Sequence, residues 1–255
     1  MNTGRAQHLL TKVIYIALLV IISPSSSLAN TDAWLLSIGG LHGKGHSDGL
    51  RTPSEWVIVP FTLKYRRHNW NTQVTSSYIR ADTFSPNDTP SYSGQGDTFL
   101  KATYLLPSPL FQFWWVDLSG KIKFPTANEQ AGLGTGKMDF WFDVEAMRTL
   151  SRGWFEHLAV GKKFRGNHAE SNLVDSYYFN SSLGKRWRKR YTTGIQLEFM
   201  EAAAEESEEV IETMLYTRCR FSPQNSLLLY LVKGFTHSST EKGIGFQFTR
   251  RFQSR

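Results

Sequence analysis

From Ala33 to the C-terminus, apolar and polar side chains alternate residue by residue over most of the chain. Val116, Leu118, Gly120, Ile122 and Phe124 fall on one face, with Asp117, Ser119, Lys121 and Lys123 on the other. Phe140, Phe142, Val144 and Ala146 oppose Asp139, Trp141, Asp143 and Glu145 in the same way, and Ile195, Leu197 and Phe199 oppose Gln196, Glu198 and Met200. Successive side chains of a strand point to opposite faces, so period two marks strands with one apolar and one polar side. The pattern predicts twelve strands, at about 34–42, 55–67, 70–82, 96–106, 111–124, 137–150, 153–165, 174–187, 190–202, 208–221, 225–236 and 241–252.

The joins between these strands alternate in length. His68-Asn69, Pro107 to Leu110, Ser151-Arg152, Arg188-Lys189 and Ser222 to Gln224 are tight. The others tend to be longer: Gly43 to Ser54, Thr83 to Gln95, Pro125 to Gly136, Gly166 to Leu173, Ala203 to Ser207 and His237 to Thr240. An even number of long antiparallel strands, with short turns at one rim and long loops at the other, is the pattern of a bacterial outer-membrane barrel. The fold expectation is therefore all-β, an antiparallel transmembrane β-barrel of about twelve strands, with ten or fourteen as alternatives. A soluble β-sandwich or lipocalin-like barrel also alternates, but strand length and loop asymmetry speak against it. Trp34, Trp56, Trp70, Trp114, Trp115, Trp154 and Trp187 lie near predicted strand ends, where amphipathic rings suit the two membrane interfaces. Trp141 lies inside a strand.

The first 29 residues read as an export signal: basic Arg5 and Lys12, an apolar run from Val13 to Ile22, Pro24, then Ser27-Leu28-Ala29 with cleavage expected before Asn30. The apolar run is half of the roughly 20 residues needed to span a bilayer as a helix. The expected organisation is a signal peptide over 1–29 and an outer-membrane β-barrel over 30–255. Composition adds exclusions. Hydrophobic residues make up 40% and aromatic residues 14%, unlike a helical membrane protein, and the single Cys219 excludes an intramolecular disulfide or a cysteine-built zinc site. The formal charge of +7 is a modest basic excess.

Two stretches carry a family resemblance. Gly132-Leu133-Gly134-Thr135-Gly136-Lys137-Met138-Asp139-Phe140, preceded by Lys123-Phe124-Pro125-Thr126, and Leu231-Val232-Lys233-Gly234-Phe235 followed by Gly243-Ile244-Gly245-Phe246 resemble bacterial outer-membrane barrels regarded as transporters and related to the phenol meta-pathway outer-membrane proteins. The resemblance covers about residues 96 to 252 and implies a barrel, with no catalytic or ligand residue attached. Such barrels usually end in an aromatic residue, whereas Phe252 here is followed by Gln253-Ser254-Arg255.

With the apolar faces in lipid, the lumen is expected to receive Asp117, Lys121, Lys123, Asp139, Asp143, Glu145, His157, Lys163, Arg186, Gln196, Glu198, Glu212, Tyr216, Arg218, Arg220, Gln247 and Arg251. These charges suit either cross-strand bracing or a narrow polar conduit for small molecules. The functional expectation is passive transport or binding of small solutes, with a structural barrel lacking an open pore as the alternative. A barrel lipid hydrolase is a third reading: His237-Ser238-Ser239 faintly resembles the His-x-Ser of outer-membrane phospholipase A, but the Asn-Gly that follows there is Thr240-Glu241 here. No enzyme activity, cofactor or metal site is expected. His42 and His46 fall in a glycine-rich segment read as a surface loop, and the acidic run Glu201 to Glu209 as a solvated loop tip in the lipopolysaccharide zone. Lys185, Arg186, Arg188, Lys189 and Arg190 cluster at the periplasmic rim, where anionic lipid headgroups are the simplest partner and nucleic acid is not expected. The remaining expected partners are outer-membrane lipid, lipopolysaccharide, the barrel assembly machinery and an unidentified solute.

Overall fold

The computed structural model describes residues 32–47, 52–84, 89–107, 110, 113–166, 173–188, 190–204 and 207–253. The expected signal peptide and its cut before Asn30 lie outside the described residues, as do Lys189 of the basic cluster and residues 205–206 of the acidic run. Thirteen β-segments follow one another: β1 Ala33–Ser47, β2 Thr52–Arg67, β3 Trp70–Thr83, β4 Ser91–Gln95, β5 Thr98–Leu105, β6 Trp115–Phe124, β7 Asp139–Thr149, β8 Trp154–Phe164, β9 Ser176–Trp187, β10 Tyr191–Met200, β11 Val210–Arg220, β12 Asn225–Gly234 and β13 Thr240–Gln253. All pairings are antiparallel, and β1 pairs with both β2 and β13. That last pairing closes the sheet on itself, as a chain in hydrocarbon requires.

β4 and β5 share one partner. β3 pairs with β4 over Tyr78–Asp82 and with β5 over Trp70–Thr75. Thirteen segments thus build twelve staves, and each of the twelve expected strands is present. The expected strand over 96–106 is broken at its start, because Gly96 and Asp97 leave the ladder while Gly96 N–H still donates to Ser77 O at 2.8 Å. A Cβ at position 96 would stand 2.6 Å from Ile79 Cδ1 and 2.7 Å from Ser77 Oγ, so any larger residue there must displace those side chains. β4, Ser-Tyr-Ser-Gly-Gln, lies in what was expected to be loop; it has no run of alternating apolar residues to betray it.

Two more boundaries differ. β1 continues to Ser47, so His42 and His46 are strand residues and not loop residues, and the link to β2 shortens to residues 48–51. Its glycines look like loop in sequence, yet Gly43 faces the Trp56 indole so closely that a Cβ would come 2.5 Å from Nε1. β6 begins at Trp115 and not at 111, so the expected four-residue join becomes residues 106–114, containing an isolated bridge from Leu110 to Trp114. The tight turns at His68, Arg152 and Arg188 carry φ values of 47°, 56° and 44°.

The two faces separate as alternation predicts. One presents exposed Leu36, Ile38, Phe61, Phe142, Val160, Phe179, Leu197, Leu215, Leu229, Leu231, Ile244 and Phe246. This belt suits hydrocarbon, where every backbone group must already be paired. At the short-turn rim Trp34 packs on Tyr65 at 4.6 Å, Trp70 on Tyr104 at 4.8 Å, and Lys185 lies over Trp187 at 4.0 Å. Trp56 does not join them: its parity on β2 turns it inward, where it is 4% exposed.

Candidate solute-binding lumen

The inward face is not uniformly polar. Leu41, Trp56, Ile58, Ile79, Ala81, Phe99, Trp141, Tyr178, Met200, Val210, Met214, Leu228, Tyr230 and Val232 form one buried cluster with Leu133. Leu133 comes from the loop between β6 and β7, residues 125–138, which folds back over the barrel interior. The side chain is 1% exposed, and a Cβ built on Gly94 of β4 would stand 2.7 Å from Leu133 Cδ1. Gly132 and Gly136 turn the loop with φ of 68° and 64°. Its anchors are polar: Lys123 Nζ donates to Thr135 Oγ1 at 2.6 Å, and Ala127 N–H donates to Asp97 Oδ1 at 3.1 Å.

Beneath that loop the charges gather in two groups on the β5–β8 wall. Asp139 takes Lys123 at 3.1 Å and Lys163 at 3.0 Å, and Lys123 also reaches Asp97 at 3.4 Å. All four are within a few per cent of full burial, so each ammonium depends on its carboxylate for compensation. Farther along the wall Lys101 Nζ lies 2.6 Å from Glu145 Oε1 and 3.6 Å from Asp143 Oδ1, and His157 Nε2 lies 3.3 Å from Glu145 Oε2. Lys101 on β5 reaches past β6 to β7, which only side chains on the concave face can do. Asp117, Lys64 and Lys121 are in electrostatic reach of this group.

The β9–β11 wall differs. Glu198 and Glu212 stand directly opposite one another on β10 and β11, and Asn180 on β9 stands directly opposite Glu198. Thr240 N–H donates to Glu212 Oε1 at 2.6 Å. Tyr216 reaches over Gly194 to Ser182, with the hydroxyl oxygens 3.4 Å apart. Arg218 and Arg251 are half-buried toward the short-turn end, whereas Arg186 and Arg220 are exposed at that rim, apart from the two charge groups.

Alternation therefore places Asp117, Lys121, Lys123, Asp139, Asp143, Glu145, His157, Glu198 and Glu212 on one concave surface. Sequence reading passed over Lys101, Lys64 and Asn180, although the same parity rule finds them: Lys101 alternates with Leu100 and Ala102, and Asn180 with Phe179 and Ser181. Asp97 sits in the strand break and Leu133 in a loop, where periodicity carries no signal. Near the β12–β13 join, His237 and Ser239 are each bonded to other groups. His237 Nδ1 lies 3.0 Å from Glu208 Oε1, but Ser239 Oγ accepts from Ile211 N–H at 2.9 Å and donates to Ile211 O at 3.0 Å. Among the described residues no group of three or more His, Cys, Asp or Glu side chains is placed to hold a metal ion.

No model of a protein family matches the sequence, and no curated protein matches it. Solved structures do match in shape. An outer membrane channel from Pseudomonas putida F1 superposes with a TM-score of 0.77 at 12% identity, covering 91% of this chain and 100% of that one. The translocator domain of the autotransporter NalP from Neisseria meningitidis gives 0.60 at 5% identity, over 99% of each chain. The KdgM porin in complex with disordered oligogalacturonate gives 0.53 at 9% identity, over 86% of this chain and 99% of that one. The fold is that of outer-membrane barrels. A channel, a porin and a translocator share it, so it leaves the activity to be argued from the lumen.

Proposed function

We propose that the protein is a bacterial outer-membrane barrel, exported by a cleaved signal peptide, that binds small solutes in its charged lumen and lets them pass. The short-turn rim then faces the periplasm, and Lys185, Arg186, Arg188 and Arg190 meet anionic headgroups there. Lipopolysaccharide surrounds the long-loop rim, and the barrel assembly machinery inserts the chain. The shape shared with a channel and a porin supports this reading. The observation that carries it is the state of the inward polar groups. Both polar side-chain atoms of Asn180, Nδ1 of His157 and Oε1 of Gln247 are buried without a hydrogen-bond partner among the described residues. A lumen built only for bracing gains from satisfying such groups, since each unmade bond costs about 1–3 kcal/mol; a lumen that receives solutes leaves them for the solute or its water.

A closed, purely structural barrel is the second reading, favoured by Leu133 and the apolar cluster that fill part of the interior. Planar-bilayer conductance and liposome uptake separate the two. The purified folded barrel is expected to carry a measurable current and admit small solutes. No current together with no uptake overturns passage and leaves the structural reading.

A further inference from the structure

The row Asn180, Glu198, Glu212 is unlike the rest of the lumen. Elsewhere, Asp97, Asp139, Asp143 and Glu145 each meet a lysine at 2.6 to 3.6 Å. Here two carboxylates face each other across adjacent strands, with 7% and 6% exposure, and the flanking positions in the same row are Ala159 and Gly234. Like charges directly opposite in a ladder repel, and no ammonium among the described residues lies within ion-pair distance of either carboxylate. Glu198 takes part in no hydrogen bond and no ion pair among the described residues; its electrostatic neighbours are Glu212 and, from the facing wall, Lys121. Lys121 is drawn to its own wall, with Nζ 4.2 Å from the centroid of Trp141. Asn180, 2% exposed, supplies the independent observation: its amide shares the concave face directly opposite Glu198, and neither Oδ1 nor Nδ2 has a partner.

A positively charged group with several donors would answer both carboxylates and the Asn180 amide oxygen at once. A protonated primary amine offers three N–H groups and accepts nothing. Asn180 Oδ1 and the carboxylate oxygens of Glu198 and Glu212, which have lone pairs beyond the one Thr240 N–H engages, offer the acceptors. A calcium ion fits less well, because it takes six to eight oxygens and the row supplies few. Lys121 opposite disfavours a second positive charge, which points to a monoamine or a zwitterion over a diamine.

We propose that Asn180, Glu198 and Glu212 form a lumenal binding site for the protonated primary amine of a small solute. The proposal deepens the solute-binding reading and rests on solutes reaching the interior. It is tested on the full folded barrel in detergent at neutral pH by calorimetric titration with n-butylammonium, with tetramethylammonium, which has no N–H, and calcium as comparisons. Saturable binding of butylammonium is expected, with no comparable binding of the other two, and Glu198→Gln is expected to weaken it by about tenfold or more, as for a lost charge-assisted bond. Asn180→Leu is expected to weaken it less, with heat-modifiable electrophoretic mobility confirming that each variant is folded. The absence of saturable binding, equal binding of tetramethylammonium or calcium, or an unchanged affinity in folded Glu198→Gln overturns the proposal. The comparison of ligands on the unaltered protein decides the matter should a variant not fold. Parallel bilayer recordings and liposome uptake keep the two readings apart: binding with neither current nor uptake refutes passage and leaves the amine site standing, whereas current or uptake without amine binding refutes the site and leaves passage standing.

Discussion

Phe246 and Gln247 are neighbours in the middle of β13, yet they live in different solvents. Phe246 is 47% exposed on the outer belt, while Gln247 lies on the concave face opposite Gly39 and Leu228. An arginine facing lipid at mid-depth costs about 2–4 kcal/mol, and near an interface about 0–1. Phe246→Arg is therefore expected to destabilise the folded barrel by about 2 kcal/mol or more, and Gln247→Arg by clearly less. Reversible unfolding in liposomes measures both; equal losses, or a larger loss for Gln247→Arg, reverse the assignment of the faces. Arg250 shows the tolerated case. It lies four residues from Phe246 toward the short-turn rim, with its guanidinium 5.3 Å from the Phe252 ring, close enough to the interface for its head to reach water.

At the scale of elements, the loop over residues 125–138 is the part of the structure least like a barrel. Leu133, fully buried, anchors it among inward residues of several staves, with Ala127 and Ala131 packed beside it and Lys123–Thr135 and Asp97–Ala127 as polar ties. Truncating a fully buried leucine removes about 2–5 kcal/mol of packing. Leu133→Ala is expected to expose the loop to limited proteolysis several-fold faster while the barrel keeps its heat-modifiable mobility; unchanged cleavage contradicts the docked loop. Nothing in the run Ala127 to Met138 announces this docking, because glycine and small residues between strands read equally well as a free turn. The staves were legible for the opposite reason: Val116 to Phe124 and Ile195 to Met200 must satisfy two environments at once, and that constraint writes a period of two into the chain. The same rule sorted Asp139, Asp143, Glu198 and Glu212 onto one face. Applied to Trp56 it would have turned the ring inward, where nearness to a strand end suggested a rim, but it was blind to the break at Gly96 that lets Asp97 reach Lys123.

For the whole molecule, closure through the β1–β13 ladder makes the first and last staves mutual partners over Ala33 to Gly45 and Gln253 to Thr240. What remains outside is the apolar belt, and its consequence is informational. Lipid chains are fluid and do not interdigitate with a fixed shape, so an outward position demands only that its residue be apolar and of suitable depth. Leucine, isoleucine, valine and phenylalanine are near synonyms there. Inward positions such as Gly43 beneath Trp56, or Asp139 between two lysines, admit few replacements. A saturation scan of β6 to β13 scored by surface display is expected to show permissive and intolerant sites in strict alternation, with exchange among large apolar residues silent at Leu197, Leu229 and Ile244. Uniform tolerance along a stave would remove the distinction. Where half the positions of every stave carry only a one-bit instruction, a chain can keep its shape while its spelling drifts, and a superposition at 12% identity is then what the belt permits.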